Sequence, residues 1–234
     1  MLHRMAEQPA LVVLSSLALK GVLEKFKPAF EQALRSELEL RFDATQAILM
    51  QLATRGNPAD LLVLTAEAME ELRTRGQLRE ARVLGSSGVG VAVRAGMPKP
   101  DIGSVDALKR SLLSAGSVAH SKIGASGIYF AELLERLGIA GRLKKRVIVE
   151  KGPVGLVVAA GEAEIGVQQL CELAPVPGIE IVGPLPEPVQ RLTHFSAGIP
   201  ASAAEPQRAL TLIELLRSEE ARAGMLAGGL QPAA

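Results

Sequence analysis

The residues with the most chemical promise recur in one kind of place. Short runs rich in Val, Leu and Ile end in small or hydroxylic residues. Ser15 and Ser16 follow the first run, Asp43, Ala44 and Thr45 the second, and Thr65 the third. Further on, Gly124, Ala125, Ser126 and Gly127 lead into a helical stretch, and Gly152, Pro153 and Val154 lead into another. Gln168 and Gln169 close the run IGV. The N-terminus of a helix leaves free N–H groups and a partial positive charge. Small residues let an anion approach that backbone, and hydroxyls add donors. Ser, Thr and Asp also serve as plain N-caps. Plain caps need not gather at one face, however, and repetition at successive strand ends favours a shared oxyanion or carboxylate site.

Candidates for charge and proton chemistry are fewer. Lys122 lies beside the Gly–Ser loop and is the best-placed cation. Arg94 sits on a β-prone segment and could point into a cleft. Lys20, about one turn into the first helix, lies opposite Leu19 and Leu23 and reads as solvated. His120 ends a short strand and His194 lies in a later β-prone run. Each reads first as a structural histidine, with general acid–base work as the alternative. Cys171, at an apolar helix start, reads as packed. GASG fits neither the G-x-G-x-x-G nor the P-loop pattern, and no G-x-S-x-G elbow occurs. No single residue stands out as catalytic.

The elements that would position these residues alternate. ALVVLSS, ELELRF and ADLLVLT read as strands, and the stretches after them carry helical spacing, such as Leu19, Leu23, Phe26 and Phe30. Gly56 and Gly76 stop the second and third helices. Three βα units with short connections imply right-handed crossovers and a parallel sheet. LGSSGVGVAVRAGMPKP then reads as a long strand crossing to a second lobe. A second βα set follows: a helix capped by Ser104, the strand VAHS, the helix after GASG, RVIVE, a short helix after GPVG, IGVQQL and GIEIVGPLP. RLTHFSAGIP is the return crossing, and two helices, the second capped by Ser218, finish the chain. The expected fold class is α/β, with two Rossmann-like lobes joined by two crossing strands. Residues 8–86 and 196–234 form lobe 1, residues 87–195 form lobe 2, and a ligand cleft lies between them. Ligands of such sheets bind beyond the carboxyl ends of the strands.

Composition narrows the function. The chain has 234 residues and a net charge of +1, which argues against a mainly electrostatic nucleic-acid or membrane binder. Aromatics are 3% with no Trp, too few for base- or sugar-stacking platforms. One Cys and three dispersed His exclude an internal disulfide and make a multi-ligand metal centre unexpected. No metal or cofactor is expected, and no apolar run is long enough to span a bilayer. The apolar run Ala10 to Leu14 is too short for a signal h-region. That leaves a cytoplasmic protein or one whose signal was removed earlier.

The segments VVLSSLALKGVLEKFKPAF, ADLLVLTAEAMEEL, SGVGVAVRAGMPKPDI, GASGIYFAELLERLGI, GEAEIGVQQLCEL and VGPLPEPVQRLTHFSAG resemble, in order and over nearly the whole chain, the bacterial extracellular solute-binding proteins of the molybdate-binding type. The resemblance implies the type II periplasmic binding protein fold and a periplasmic location. It also implies a small anionic ligand, an ABC-transporter permease as partner and a monomer no more than peripheral to the membrane. It places ligand contacts on Ser15 or Ser16, on Thr45, on Thr65 or Ala66, on Ala125 and Ser126, and on Pro153 and Val154. Molybdate binders carry a tyrosine where this chain has Gln168 or Gln169. The same resemblance extends to aconitate isomerase, for which Lys20, Lys122 and Arg94 are the cations available to a tricarboxylate. The first expectation is therefore a receptor that captures a small anion for an importer, and the alternative is a cis/trans isomerase of the aconitate type. A regulatory effector domain ranks last, because no helix-turn-helix fits before the first strand and a partner would have to bind DNA.

Overall fold

The computed structural model describes residues 9–234, so His3 and residue 8, the expected start of lobe 1, lie outside the described residues. Its first half is built from β1 (Leu11–Ser16), α1 (Lys20–Leu34), β2 (Leu38–Asp43), α2 (Thr45–Arg55), β3 (Leu61–Thr65) and α3 (Ala66–Thr74). β1 pairs parallel with β2 and with β3, as right-handed βα units require. β4 (Leu78–Arg94) then runs out of this sheet. The second half follows as α4 (Val105–Ser114), β5 (Val118–Ser121), α5 (Ala125–Arg136), β6 (Arg146–Val149), α6 (Val154–Ala159), β7 (Ile165–Gln169), α7 (Leu170–Leu173) and β8 (Ile179–Pro184). There β5 pairs parallel with β6 and β7. β9 (Leu192–Pro200) returns, and α8 (Pro206–Leu216), α9 (Glu219–Ala227) and the two-residue β10 (Gln231–Pro232) end the chain.

The long strand β4 joins the two sheets. Its residues Leu78–Gly88 pair antiparallel with β9, and Val89–Val93 pair antiparallel with β7. The strand order is β2-β1-β3-β9-β4-β7-β5-β6, with β8 and β10 attached to β4 beside that path. The parallel strands are thus interrupted by two antiparallel ones at the crossing, and both crossings lie side by side.

Alternation along the buried strands covers each sheet on both faces. Leu61 and Val63 of β3 pack with Leu19, Leu23, Leu212 and Leu216 from α1, its leading turn and α8, whereas Leu62 and Leu64 pack with Ile48, Met69 and Leu72 from α2 and α3. In the second half Ile165 and Val167 of β7 join Phe130, Leu133 and Leu134 of α5, and the intervening Gly166 lies against Val158 of α6. Period-2 strands buried on both sides read as continuous apolar runs, the pattern ADLLVLT shows. α4 and α9 carry the caps foreseen for them: Ser104 accepts from Ala107 N–H at 3.1 Å and Ser218 from Ala221 N–H at 3.2 Å. Cys171 is buried in the same cluster as Val22 and Leu23, so α7 packs its Cys face into the core of the first half although it follows a strand of the second.

Candidate functional site

The carboxyl ends of the strands face one cavity. It is lined from the first half by Ser16, Leu17, Asp43, Ala44, Thr45 and Thr65, and from the second by Ser121, Ile123, Gly124, Ala125, Lys151, Gly152, Gln168 and Glu172, with Phe195 of β9 at the crossing. Ser16, Asp43, Thr65 and Ser121 are each the last residue of a strand. The cavity is partly open to solvent and has a free volume of about 30 Å³, room for about two water molecules.

Two serine hydroxyls distinguish this cavity. Among the described residues three buried side-chain atoms lack a hydrogen-bond partner: Arg208 Nη2, Ser16 Oγ and Ser121 Oγ. The two serines line the cavity from opposite halves. Leaving a buried hydroxyl unpaired costs about 1–3 kcal/mol, so both are groups that a ligand oxygen would satisfy. The second half makes room for Ser121 with glycine: a Cβ at Gly124 or Gly127 would run into its side chain. The helices behind the cavity walls, α2 and α5, start at Ala44 and Gly124 with no side-chain cap, whereas α4 and α9 are capped by serine. Their first N–H groups and dipoles are directed at the cavity.

Glu172 contributes a half-buried carboxyl to the cavity. Its side chain is partly accessible on the cavity lining; desolvation by the protein packed around it raises its pKa from 4.5 to about 7, against a lowering by Gln168. Gln168 is held at both ends of its amide: Oε1 accepts from Val154 N–H at 2.8 Å, and Nε2 donates to Glu172 Oε2. The remaining charges on the lining are Asp43 and Lys151, which approach each other across the halves at 3.8 Å. Asp43 Oδ1 also accepts from Ala44 N–H at 2.8 Å.

The structure brings Ser16, Thr45, Thr65, Ala125 and Gln168 together on this lining. The other expected contacts do not reach it. Ser15 alternates with Ser16 and turns its hydroxyl to the Ser16 carbonyl at 2.8 Å. Ser126 is buried in the first turn of α5, behind Ala125. Pro153 has no N–H, and the Val154 N–H is consumed by Gln168. Gln169 faces the opposite side of β7 from Gln168, as strand alternation demands, and its amide bonds the Thr193 hydroxyl at 2.6 Å. Arg94 is exposed at the far end of β4, near Met97 and Gly161. Lys122 is drawn to Glu150 at 3.0 Å, and Lys20 to Glu24 at 3.7 Å.

Nor does either histidine reach the lining. His194 is exposed on β9. His120 is buried against Phe130; Arg146 Nη2 donates to its Nε2 at 2.9 Å, which leaves Nδ1–H to donate to the Ser121 carbonyl at 2.9 Å. Burial first, and then the Arg146 charge, lower its pKa, so it is a neutral structural histidine. Sequence reasoning missed Ser121, Lys151 and Glu172. Ser121 carries the very signal used elsewhere, a hydroxyl at a strand end. Glu172 carries none, because its burial is created by packing.

The sequence pattern of the bacterial extracellular solute-binding protein family matches residues 11–231, and the chain belongs to that family. Its fold is that of the type II periplasmic binding proteins. Among solved structures it is similar to the periplasmic molybdate-binding protein of Azotobacter vinelandii, with a TM-score of 0.77 and 20% identity over 96% of this chain and 100% of that one. It is also similar to the sulfate-binding protein SubI of Mycobacterium tuberculosis, with a TM-score of 0.74 and 16% identity over 97% of this chain and 88% of that one. In sequence it is 40% identical over 240 residues to the aconitate isomerase of a Pseudomonas species, covering 97% of this chain and 90% of that protein. No helix among the described residues is long and apolar enough to cross a membrane.

Proposed function

We propose that this protein captures a small unsaturated polycarboxylate of the aconitate class between its two halves and interconverts its cis and trans forms. The observation that carries the reading is the pair of buried, unpartnered hydroxyls of Ser16 and Ser121, two residues that line one cavity from opposite halves. Each can donate to a carboxylate oxygen, and the uncapped starts of α2 and α5, at Thr45 and Ala125, add backbone donors. Thr65 and Gln168 shape the walls, and Lys151 supplies positive charge at the rim. The substrate class comes from the full-length relative at 40% identity, since the fold alone hosts many ligands.

A cavity of about 30 Å³ is smaller than any tricarboxylate. Residues 8–86 with 196–234, and residues 87–195, would therefore part about β4 and β9 to admit the ligand. They would then close on it and exclude water.

A second reading has its own support. Lys151 is the only Lys or Arg on the described lining, which suits a small oxyanion better than three carboxylates. On that reading the protein is a periplasmic receptor that hands its anion to an ABC permease.

One set of samples separates the two. The protein is screened by thermal shift against cis-aconitate, trans-aconitate, citrate, molybdate, tungstate and sulfate, and the aconitate samples are followed by proton NMR. A ligand at 100 times its Kd adds about 2.7 kcal/mol, about 5–10 °C for a chain of this size. Stabilisation by aconitates with interconversion is the expected result. A shift with metal oxyanions alone, and no interconversion, replaces the isomerase with the receptor.

A further inference from the structure

We infer that Glu172 is the group that moves the proton, taking it from one carbon of the bound polycarboxylate and returning it to another from the same face. The inference rests on the isomerase reading above.

Geometry supports it first. Glu172 is the carboxyl on the described lining that packing partly desolvates and that has no cation partner; Asp43, the other, lies toward Lys151. Gln168 fixes it from one side. Because Val154 N–H holds the Gln168 oxygen, the amide can present only its NH₂ to Glu172, and that bond occupies Oε2. Oε1 has no hydrogen bond to any described residue and is left for the ligand. The other charged groups on the cavity lining are Asp43 and Lys151, and Cys171 precedes Glu172 in α7 with its thiol in the core, its Sγ near the Ser87 hydroxyl. Desolvation places the carboxyl near neutral titration, where it can both accept and return a proton at ordinary pH.

The chemistry needs no more than this group. Aconitate carries one carboxylate on each of three consecutive carbons, with a methylene at one end and a carbon–carbon double bond joining the other two. The ionised Glu172 takes one methylene proton; that C–H bond breaks and its electron pair spreads over the three-carbon unit. The protonated Glu172 then delivers the same proton to the opposite end carbon, forming a new C–H bond, and the double bond settles at the former methylene. One C–H bond is broken and one is made, Glu172 ends as it began, and no oxidant, reductant or water is consumed. The product is again aconitate, and its cis or trans geometry is set by how the cavity holds the carboxylate on the former methylene. Ser16 and Ser121 are placed to hold carboxylate oxygens while negative charge spreads.

The test uses the whole chain and the variant Glu172→Gln, which keeps shape and the bond from Gln168. The expected result is trans-aconitate binding within about twofold of the wild type, with interconversion reduced at least about 100-fold. Interconversion at the wild-type rate by a folded Glu172→Gln protein overturns the inference and leaves the isomerase reading intact. A wild-type protein that binds aconitate but does not isomerise it overturns both. Should Glu172→Gln fail to fold, Glu172→Asp carries the test: kcat is expected to fall at least about tenfold with KM within about twofold, and an unchanged kcat overturns the inference.

Discussion

Burial of Glu172 makes a prediction about stability that is independent of any ligand. Its pKa is 4.5 when solvated and about 7 in the fold, so between those values the folded state holds a proton that the unfolded chain has released. Stability then falls as pH rises, at about 1.4 kcal/mol per pH unit for one proton. Below pH 4.5 both states are protonated and nothing is lost; above about pH 7 both are ionised and the loss is complete. Over that window the penalty reaches about 3 kcal/mol, an order-of-magnitude figure for one buried group. Replacing Glu172 with Gln removes the titration, so the variant should gain on the wild type across this window. Urea unfolding of both proteins, compared at each pH from 4 to 9, isolates the effect. Glu31 and Glu180, whose pKa values are lowered by hydrogen bonds to backbone N–H groups, and the buried His120, contribute equally to both proteins and cancel in the difference. The gain corresponds to about 6–12 °C in Tm for a domain of this size. A difference that stays flat from pH 4 to pH 9 would show that water reaches the carboxyl freely, and would refute the desolvation on which the reasoning stands.

Ser16→Ala and Ser121→Ala should each weaken trans-aconitate binding about 10–100-fold, as loss of a hydrogen bond to a charged group implies, while calorimetric scans of the free protein show no loss of stability, because each deleted hydroxyl is unpartnered. Gly127→Ala should cost about 1–3 kcal/mol by overpacking against Ser121, visible as a lower urea midpoint. Lys151→Ala should reduce affinity by a factor that shrinks with added salt, since its side chain is 80% exposed, and isothermal titration at two ionic strengths checks this. Arg94→Ala should leave ligand binding unchanged in the same titration, since Arg94 sits at the far end of β4 from the cavity.

Much of the fold was legible because the deciding forces are local. Period-2 apolar runs, helical spacing, stop glycines such as Gly56 and Gly76, and the caps Ser104 and Ser218 all act within a few residues. The site was legible only in outline. Of the hydroxyls expected at strand ends, Ser16, Thr45 and Thr65 lie on the cavity lining, and the same rule applied without exception also picks out Ser121. Ser15 and Gln169 lie off that lining because a strand sends neighbours to opposite faces, and the run alone does not say which face meets the cavity. The Val154 N–H, expected as a contact, instead donates to a side chain from another element, Gln168.

By itself the sequence determined an α/β chain of paired βα units with two crossing strands and anion-friendly residues at strand ends, because those properties follow from spacing and residue type. Only the tertiary structure decided which hydroxyls stay unpartnered, which cations are spent on Glu150 and Glu24, and that α7 packs Cys171 into the first half while turning Glu172 to the cavity. The reason is physical: hydrogen-bond satisfaction and desolvation depend on groups brought together from distant parts of the chain, and a carboxyl with pKa near 7 is identical in sequence to one with pKa near 4.5.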